Sequence, residues 1–136
     1  VARQLGHEPR VALLSFSNFG NPMRARAERI RQAVRIIGQR GHDFECDGEM
    51  SADVALNPDL MKLYPFCRLS GPANVLIMPS LHSANISAKL LKELGGGQMI
   101  GPLLVGLAKP VQIAPMGATV SELVALAALA AHDATR

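Results

Sequence analysis

Chemistry in this chain can only come from the polar and glycine residues that follow its apolar runs, and three such junctions stand out. In "LSFSNFGNP", Ser15, Ser17, Asn18 and Asn21 surround Gly20. Hydroxyls, amides and free backbone N–H groups so arranged can cradle an anion. Asn21 is also placed to cap a helix whose first residue is Pro22, a role that needs no ligand. In "PSLHSANIS", Ser80, His82, Ser83 and Asn85 crowd a strand end, where open parallel sheets bind small ligands. Helix capping by serine beside a hydrogen-bonded histidine accounts for the same pattern, and both readings stand. In "KPVQIAPMGATVSEL" (109–123), a strand turns through Pro115, Met116 and Gly117 into a helix starting at Thr119. Such a turn suits an active site, yet proline and methionine neither ionise nor hold a phosphate. Thr119 and Glu122 have the spacing of a capping box, which is structural.

The remaining ionisable groups favour structural roles. "RARAERIRQAVRIIGQR" carries six arginines and one glutamate. Aromatic interleaving for base stacking is sparse there, so a solvated helix face with Glu28 pairing Arg24 and Arg31 is preferred over nucleic-acid binding. A polyanionic cofactor across that helix start is the functional alternative. Asp43, Glu45, Asp47 and Glu49 alternate along a half-exposed strand, and no histidine joins them in a ligand pattern. His7, His42, His82 and His132 stand apart, so no metal site is expected. Neither GxGxxG after a strand nor a Walker lysine motif occurs. "GGGQMIG" follows a helix and reads as its stop and a loop.

The elements that must position these junctions alternate. Residues 10–17 are a nearly continuous apolar run, a strand covered on both faces. Met23, Ala27, Ile30, Val34 and Ile37 mark one helical face, stopped at Gly41. Residues 43–50 read as a strand, and short helices broken at Pro58 follow. Residues 74–80 read as a second buried strand, leading into a helix from Ser80 or Ser83 with Ile86, Leu90 and Leu94 on one face. Residues 99–107 and 110–115 read as further short strands. This alternation predicts a three-layer α/β domain with a mainly parallel sheet. From Val120 to Ala131 only Ser121 and Glu122 are polar, so the last helix is expected to be covered on all sides. Its cover would be a missing part of the polypeptide or a partner subunit.

With 136 residues, 49% of them hydrophobic, the chain can build one domain with a real core. The net charge of +3 is mildly basic. No run is long and clean enough to span a membrane, and "VARQLGHEPR" lacks a signal-peptide core. Cys46 and Cys67 are far apart, which favours reduced thiols and a cytoplasmic location. The missing initiator methionine suggests a fragment of a longer polypeptide.

The phrases "VALLSFSNFG", "DGEMSADVALN", "LSGPANVLIMPSLHSANISAKLL", "IGPLLVGLAKPVQ" and "GATVSELV" together resemble the phosphate acetyltransferase (phosphotransacetylase) family, in its order and across nearly the whole chain. The resemblance implies one lobe of a two-lobed fold related to isocitrate dehydrogenase, plus the C-terminal helix, with the first lobe absent. Active members carry Leu-Ser-Arg-Gly before the last helix: the arginine binds phosphate, the serine helps hold the transition state, and an aspartate is the proposed base for the coenzyme A thiol. Here the serine position is Pro115, the arginine position Met116 and the aspartate position Glu122. Arginine supplies a fixed charge and a bidentate fork that methionine lacks. No catalytic residue is therefore expected.

"SFSNFG", "SLHSANIS" and "APMGATVSELV" depart from the transacetylase phrasing and resemble the C-terminal domain of hybrid bacterial malic enzymes. That resemblance implies a non-catalytic regulatory and assembly domain of an NADP-dependent decarboxylating malate dehydrogenase, with acetyl-CoA or a similar acyl-CoA as effector. The effector would meet Ser15, Ser17, Asn18, Asn21, His82, Ser83, Asn85 and Gly117. NADP and a divalent metal would belong to the missing malic-enzyme part. The implied partners are that part, the first transacetylase lobe, and further copies joined through apolar helices including 119–133, with no nucleic acid and no membrane. An active phosphate acetyltransferase and a purely structural oligomerisation domain are the alternatives.

Overall fold

The computed structural model describes residues 1–97 and 99–135, in two units, 1–88 and 89–136. The first unit is built on a three-stranded parallel sheet of β1 (Arg10–Leu14), β2 (Glu45–Met50) and β3 (Val75–Ile77), in the order β2-β1-β3. Val11 through Leu14 are all buried, as an unalternating apolar run requires when both faces are covered. On one face Ala12 and Leu14 pack with Met50, Val54, Ala55 and Met61. These bring in β2 and two short helices, α2 (Ala52–Leu56) and α3 (Pro58–Met61), which break at Pro58 as expected. On the other face Val11 and Leu13 pack with Cys46 and Val34, joined by Ile30 and Ile37 of α1 (Ala25–Gln39). The result is the expected three layers around a mainly parallel sheet.

Several local expectations are corrected. The first helix starts at Ala25, and Asn21 does not cap it. Asn18 and Asn21 exchange both backbone hydrogen bonds, at 2.9 and 3.0 Å, closing residues 18–21 into a tight bridge. The residue before the helix is instead Arg24, extended and without a side-chain cap, and Met23 is left exposed. Arg24 therefore lies outside the helix; Glu28 pairs with Arg31 and Arg35.

The acidic strand is not half-exposed: Asp47 and Glu49 are buried. Leu13 is opposite Gly48 but Leu14 is opposite Met50, so Glu49 is an extra, bulged residue and the alternation breaks there. Gly48 makes the bulge sterically possible. Its φ is +147°, and a Cβ would lie 2.6 Å from the Leu13 carbonyl oxygen.

β3 is an edge strand of this sheet, half-buried rather than buried on both faces. α4 (Leu81–Leu94) begins after Ser80, whose Oγ accepts a 3.3 Å hydrogen bond from the Ser83 N–H. Its Ile86, Leu90 and Leu94 are exposed, and Gly95 follows its end.

In the second unit the two strands expected at 99–107 and 110–115 do not form. Gly101, Pro102, Gly106 and Pro110 interrupt both runs, and proline removes a ladder donor. The nearest approach to a ladder is made by one side chain. Gln112 Oε1 accepts from Leu104 N–H at 3.1 Å while its Nε2 donates to the Leu104 carbonyl at 3.3 Å. The loop expected in "GGGQMIG" includes Gln98, which lies outside the described residues. α5 (Val120–Ala134) forms with its full capping box. Only Leu126 of that helix is buried; Val120 and Val124 are 78% and 63% exposed, against the expectation of cover on all sides. Among the described residues no helix is long and apolar enough to cross a membrane.

Candidate functional site

Because β1 and β3 run parallel as neighbours, the segments that leave their C-terminal ends emerge at one edge of the sheet. Ser15, Ser17, Asn18 and Asn21 follow β1; Ser80, His82, Ser83 and Asn85 follow β3.

Beneath the first segment lies a group that sequence reasoning missed. The bulge turns the Glu49 carboxylate inward, where it is fully buried. Its Oε1 accepts from Ser17 Oγ at 2.8 Å, from the Gly20 N–H at 2.9 Å and from Arg31 Nη1 at 2.9 Å. Arg31, only 18% exposed in its side chain, also donates to Glu28 at 2.7 Å. Glu49 Oε2 has no hydrogen-bond partner among the described residues. The loop thus rests on a buried Glu–Arg pair. The clue in the sequence was the glycine beside an acid in "DGE"; period-two reasoning placed that acid outside.

The individual side chains differ in what they leave free. Ser17 is fully buried and its hydroxyl is engaged by Glu49. Ser15 Oγ lies 3.3 Å from Ser17 Oγ. Asn18 Oδ1 accepts from the Ser51 N–H at 2.7 Å, tying the loop to the start of α2. Asn21, His82 and Asn85 are exposed, and Ser83 donates to the Ser80 carbonyl at 2.9 Å. His82 and Asn85 line a shallow surface groove with Leu81 and Ile86. No hydrogen bond links the β1 segment to the β3 segment among the described residues.

Elsewhere in this unit, Asp47 accepts from Arg68 through the backbone N–H at 2.7 Å and Nη2 at 2.8 Å, and Glu45 accepts from the Ser70 N–H at 2.8 Å. The Ser70 bond holds Glu45 below the usual carboxylate range, and the Arg31 guanidinium does the same for Glu28. Burial pushes the Cys46 and Cys67 thiols up, away from the thiolate form. Among the described residues no three His, Cys, Asp or Glu side chains group to hold a metal ion.

The second unit contains the turn. Pro115, Met116 and Gly117 are all exposed, and the Met116 side chain extends fully into solvent. The Pro115 carbonyl accepts from the Ala118 N–H at 3.0 Å, closing the turn. Glu122 Oε2 accepts from the Thr119 N–H at 2.7 Å and from Thr119 Oγ1 at 3.0 Å, and Oε1 accepts from Lys92 Nζ at 3.3 Å. Thr119, through its backbone and hydroxyl donors, and then Lys92 hold the Glu122 carboxyl below the usual carboxylate range. Pro115 and Glu122 line a small depression with Met99, Ile100, Gly101, Ala125 and Leu126. Among the described residues its lining carries no cationic side chain, although Lys92 reaches Glu122 from beside it.

Comparison with known proteins fits this architecture. The family described as phosphate acetyl/butaryl transferase matches residues 1–131. The NADP-dependent malic enzyme of Rhizobium meliloti is 62% identical over 98% of this chain, which spans 18% of that protein. The phosphate acetyltransferase of Treponema pallidum is 40% identical over 92% of this chain, which spans 38% of it. Among solved structures, the EutD phosphotransacetylase from Staphylococcus aureus superposes with a TM-score of 0.89 at 33% identity, covering 98% of this chain and 42% of that one. By this match and these relatives, the chain belongs to the phosphate acetyl/butaryl transferase family.

Proposed function

We propose that this chain is a non-catalytic regulatory and assembly segment of an NADP-dependent malic enzyme, and that it binds acetyl-CoA or a similar acyl-CoA. One observation carries the reading: the turn before α5 presents Pro115 and Met116, neither of which carries a charge or a phosphate-binding donor. Acetyl transfer between a thiol and phosphate needs preorganised charge to hold the phosphate and the tetrahedral oxyanion, and losing a single oxyanion donor costs about 10²–10³ in rate. Identities of 62% and 49% to the malic enzymes of Rhizobium meliloti and Rickettsia prowazekii, against 40% to the phosphate acetyltransferase of Treponema pallidum, support the same direction, while the malic enzyme of Escherichia coli is also 40% identical. NADP and a divalent metal would act in the attached malic-enzyme part. The effector would shift malic-enzyme activity only if it binds one state better than the other.

Calorimetry of the full-length protein with acetyl-CoA is the test, with saturable binding expected. No heat of binding at millimolar acetyl-CoA would remove the sensing role. Acetyl-CoA formation from acetyl phosphate above background would overturn the non-catalytic reading in favour of an active transacetylase. An assembly role has its own support in the exposed apolar residues of α5, Val120, Leu123 and Val124. Deleting residues 119–136 should reduce the molar mass seen by light scattering; an unchanged mass would remove that role.

A further inference from the structure

Three of the five aromatic residues of the chain meet beside the β1 loop. Phe19 lies 5.2 Å from Tyr64 and 5.0 Å from Phe66, and Tyr64 lies 6.1 Å from Phe66, measured between ring centroids. Phe66 stands nearly perpendicular to both others and is 64% exposed. The backbone is arranged to bring Phe19 there. Its φ of +49° is the only positive value at a non-glycine among the described residues. Such strain persists only where surrounding structure holds it, and it concentrates at functional sites. Here the bulge does the holding: Phe19 N–H donates to the Glu49 carbonyl at 2.8 Å, and Gly20 N–H donates to the Glu49 carboxylate. Phe19 and Tyr64 are partly buried against the core beside β1, which holds them in place, while Phe66 is left open to solvent at the edge of the cluster. Arg24 and Arg26, both exposed, lie at the start of α1, a few residues beyond the same loop.

We propose that Phe19, Tyr64 and Phe66 form a stacking platform for the planar base of a nucleotide, with its phosphates directed to the cationic start of α1. Aromatic faces accept any base, and arginines supply the anion contact. The inference deepens the acyl-CoA reading, on which it rests for the effector, because an acyl-CoA carries an adenine nucleotide.

The test uses full-length protein and 1,N6-ethenoadenosine 5′-diphosphate, followed by fluorescence anisotropy, with binding assigned to the platform by its difference between wild type and Phe66→Ala. Saturable binding is expected. Phe66→Ala should weaken it at least about fivefold, the lower end of a lost base stack, while Phe66→Trp retains it. Arg26→Gln should weaken it and flatten its salt dependence. No binding of the probe, or equal affinity in wild type and Phe66→Ala with unchanged circular dichroism, overturns the proposal. Acetyl-CoA calorimetry keeps the two readings apart. If acetyl-CoA binds wild type and Phe66→Ala alike, the platform falls and the effector reading stands. If the probe depends on Phe66 while acetyl-CoA does not bind, the effector reading falls alone.

Discussion

Replacing Arg31 by methionine should be among the most damaging single substitutions in the first unit. It leaves the Glu49 carboxylate fully buried without a cation, holding only the Ser17 hydroxyl and the Gly20 amide. Breaking a buried pair by removing one partner costs about 3–5 kcal/mol. The contact of Arg31 with Glu28 is solvent-screened and adds little to this change. Glu49→Gln keeps the shape and an acceptor oxygen but removes the charge, which should cost about 1.5–3 kcal/mol. The double variant should cost no more than Arg31→Met alone, because no unpaired charge is left behind, giving a coupling of about 1.5–3 kcal/mol. Tyr64 is the sole tyrosine and there is no tryptophan, so its fluorescence reports this unit during urea unfolding. With a slope of about 1.5 kcal/mol/M, a loss of about 3 kcal/mol moves the midpoint by about 2 M. A loss under about 1 kcal/mol for Arg31→Met, or strictly additive variants, would refute the claim that this pair supports the loop.

Three further outcomes are expected. Gly48→Ala should destabilise the first unit by about 2 kcal/mol or more, because its Cβ meets the Leu13 carbonyl at a φ that alanine avoids; urea unfolding measures this. The Glu122 carboxyl titrates below its unfolded value, so the stability it lends α5 is full above about pH 4.3 and lost as pH falls through the folded pKa. Glu122→Gln should abolish that acid-side dependence in helix content followed by circular dichroism. Pro115→Ser with Met116→Arg should confer weak phosphate binding detectable by phosphorus NMR without conferring the transacetylase rates of active family members, since Glu122 is already engaged.

What the sequence made legible was what the chain decides locally. The β1 run, the Ala27, Ile30, Val34 and Ile37 stripe, the break at Pro58 and the Thr119–Glu122 box each rest on neighbours within about one or two helical turns. Expectations failed where something outside the simple period decides. Asn21 looks like a cap, but residues 18–21 close on themselves and α1 starts only at Ala25. Glu49 looks exposed by alternation, but one extra residue in the ladder reverses its direction. The runs at 99–107 and 110–115 have strand composition, and composition alone cannot supply a neighbouring strand. At the candidate site, the serines, the asparagines and the turn at 115–117 were legible by type. The Arg31–Glu49 support and the three-ring cluster were not, because Phe19 and Phe66 are brought together only by tertiary packing.

The capping box has a consequence for proton transfer. A base must gain affinity for a proton as its substrate surrenders one. The ordinary gap between a glutamate and a thiol is already about four pK units against such a transfer. Glu122 widens it, because three donors stabilise its anion and its lone pairs face the helix backbone and Lys92. Protonating it would loosen the first turn of α5, so accepting a proton and keeping that helix start intact are opposed demands on one carboxylate.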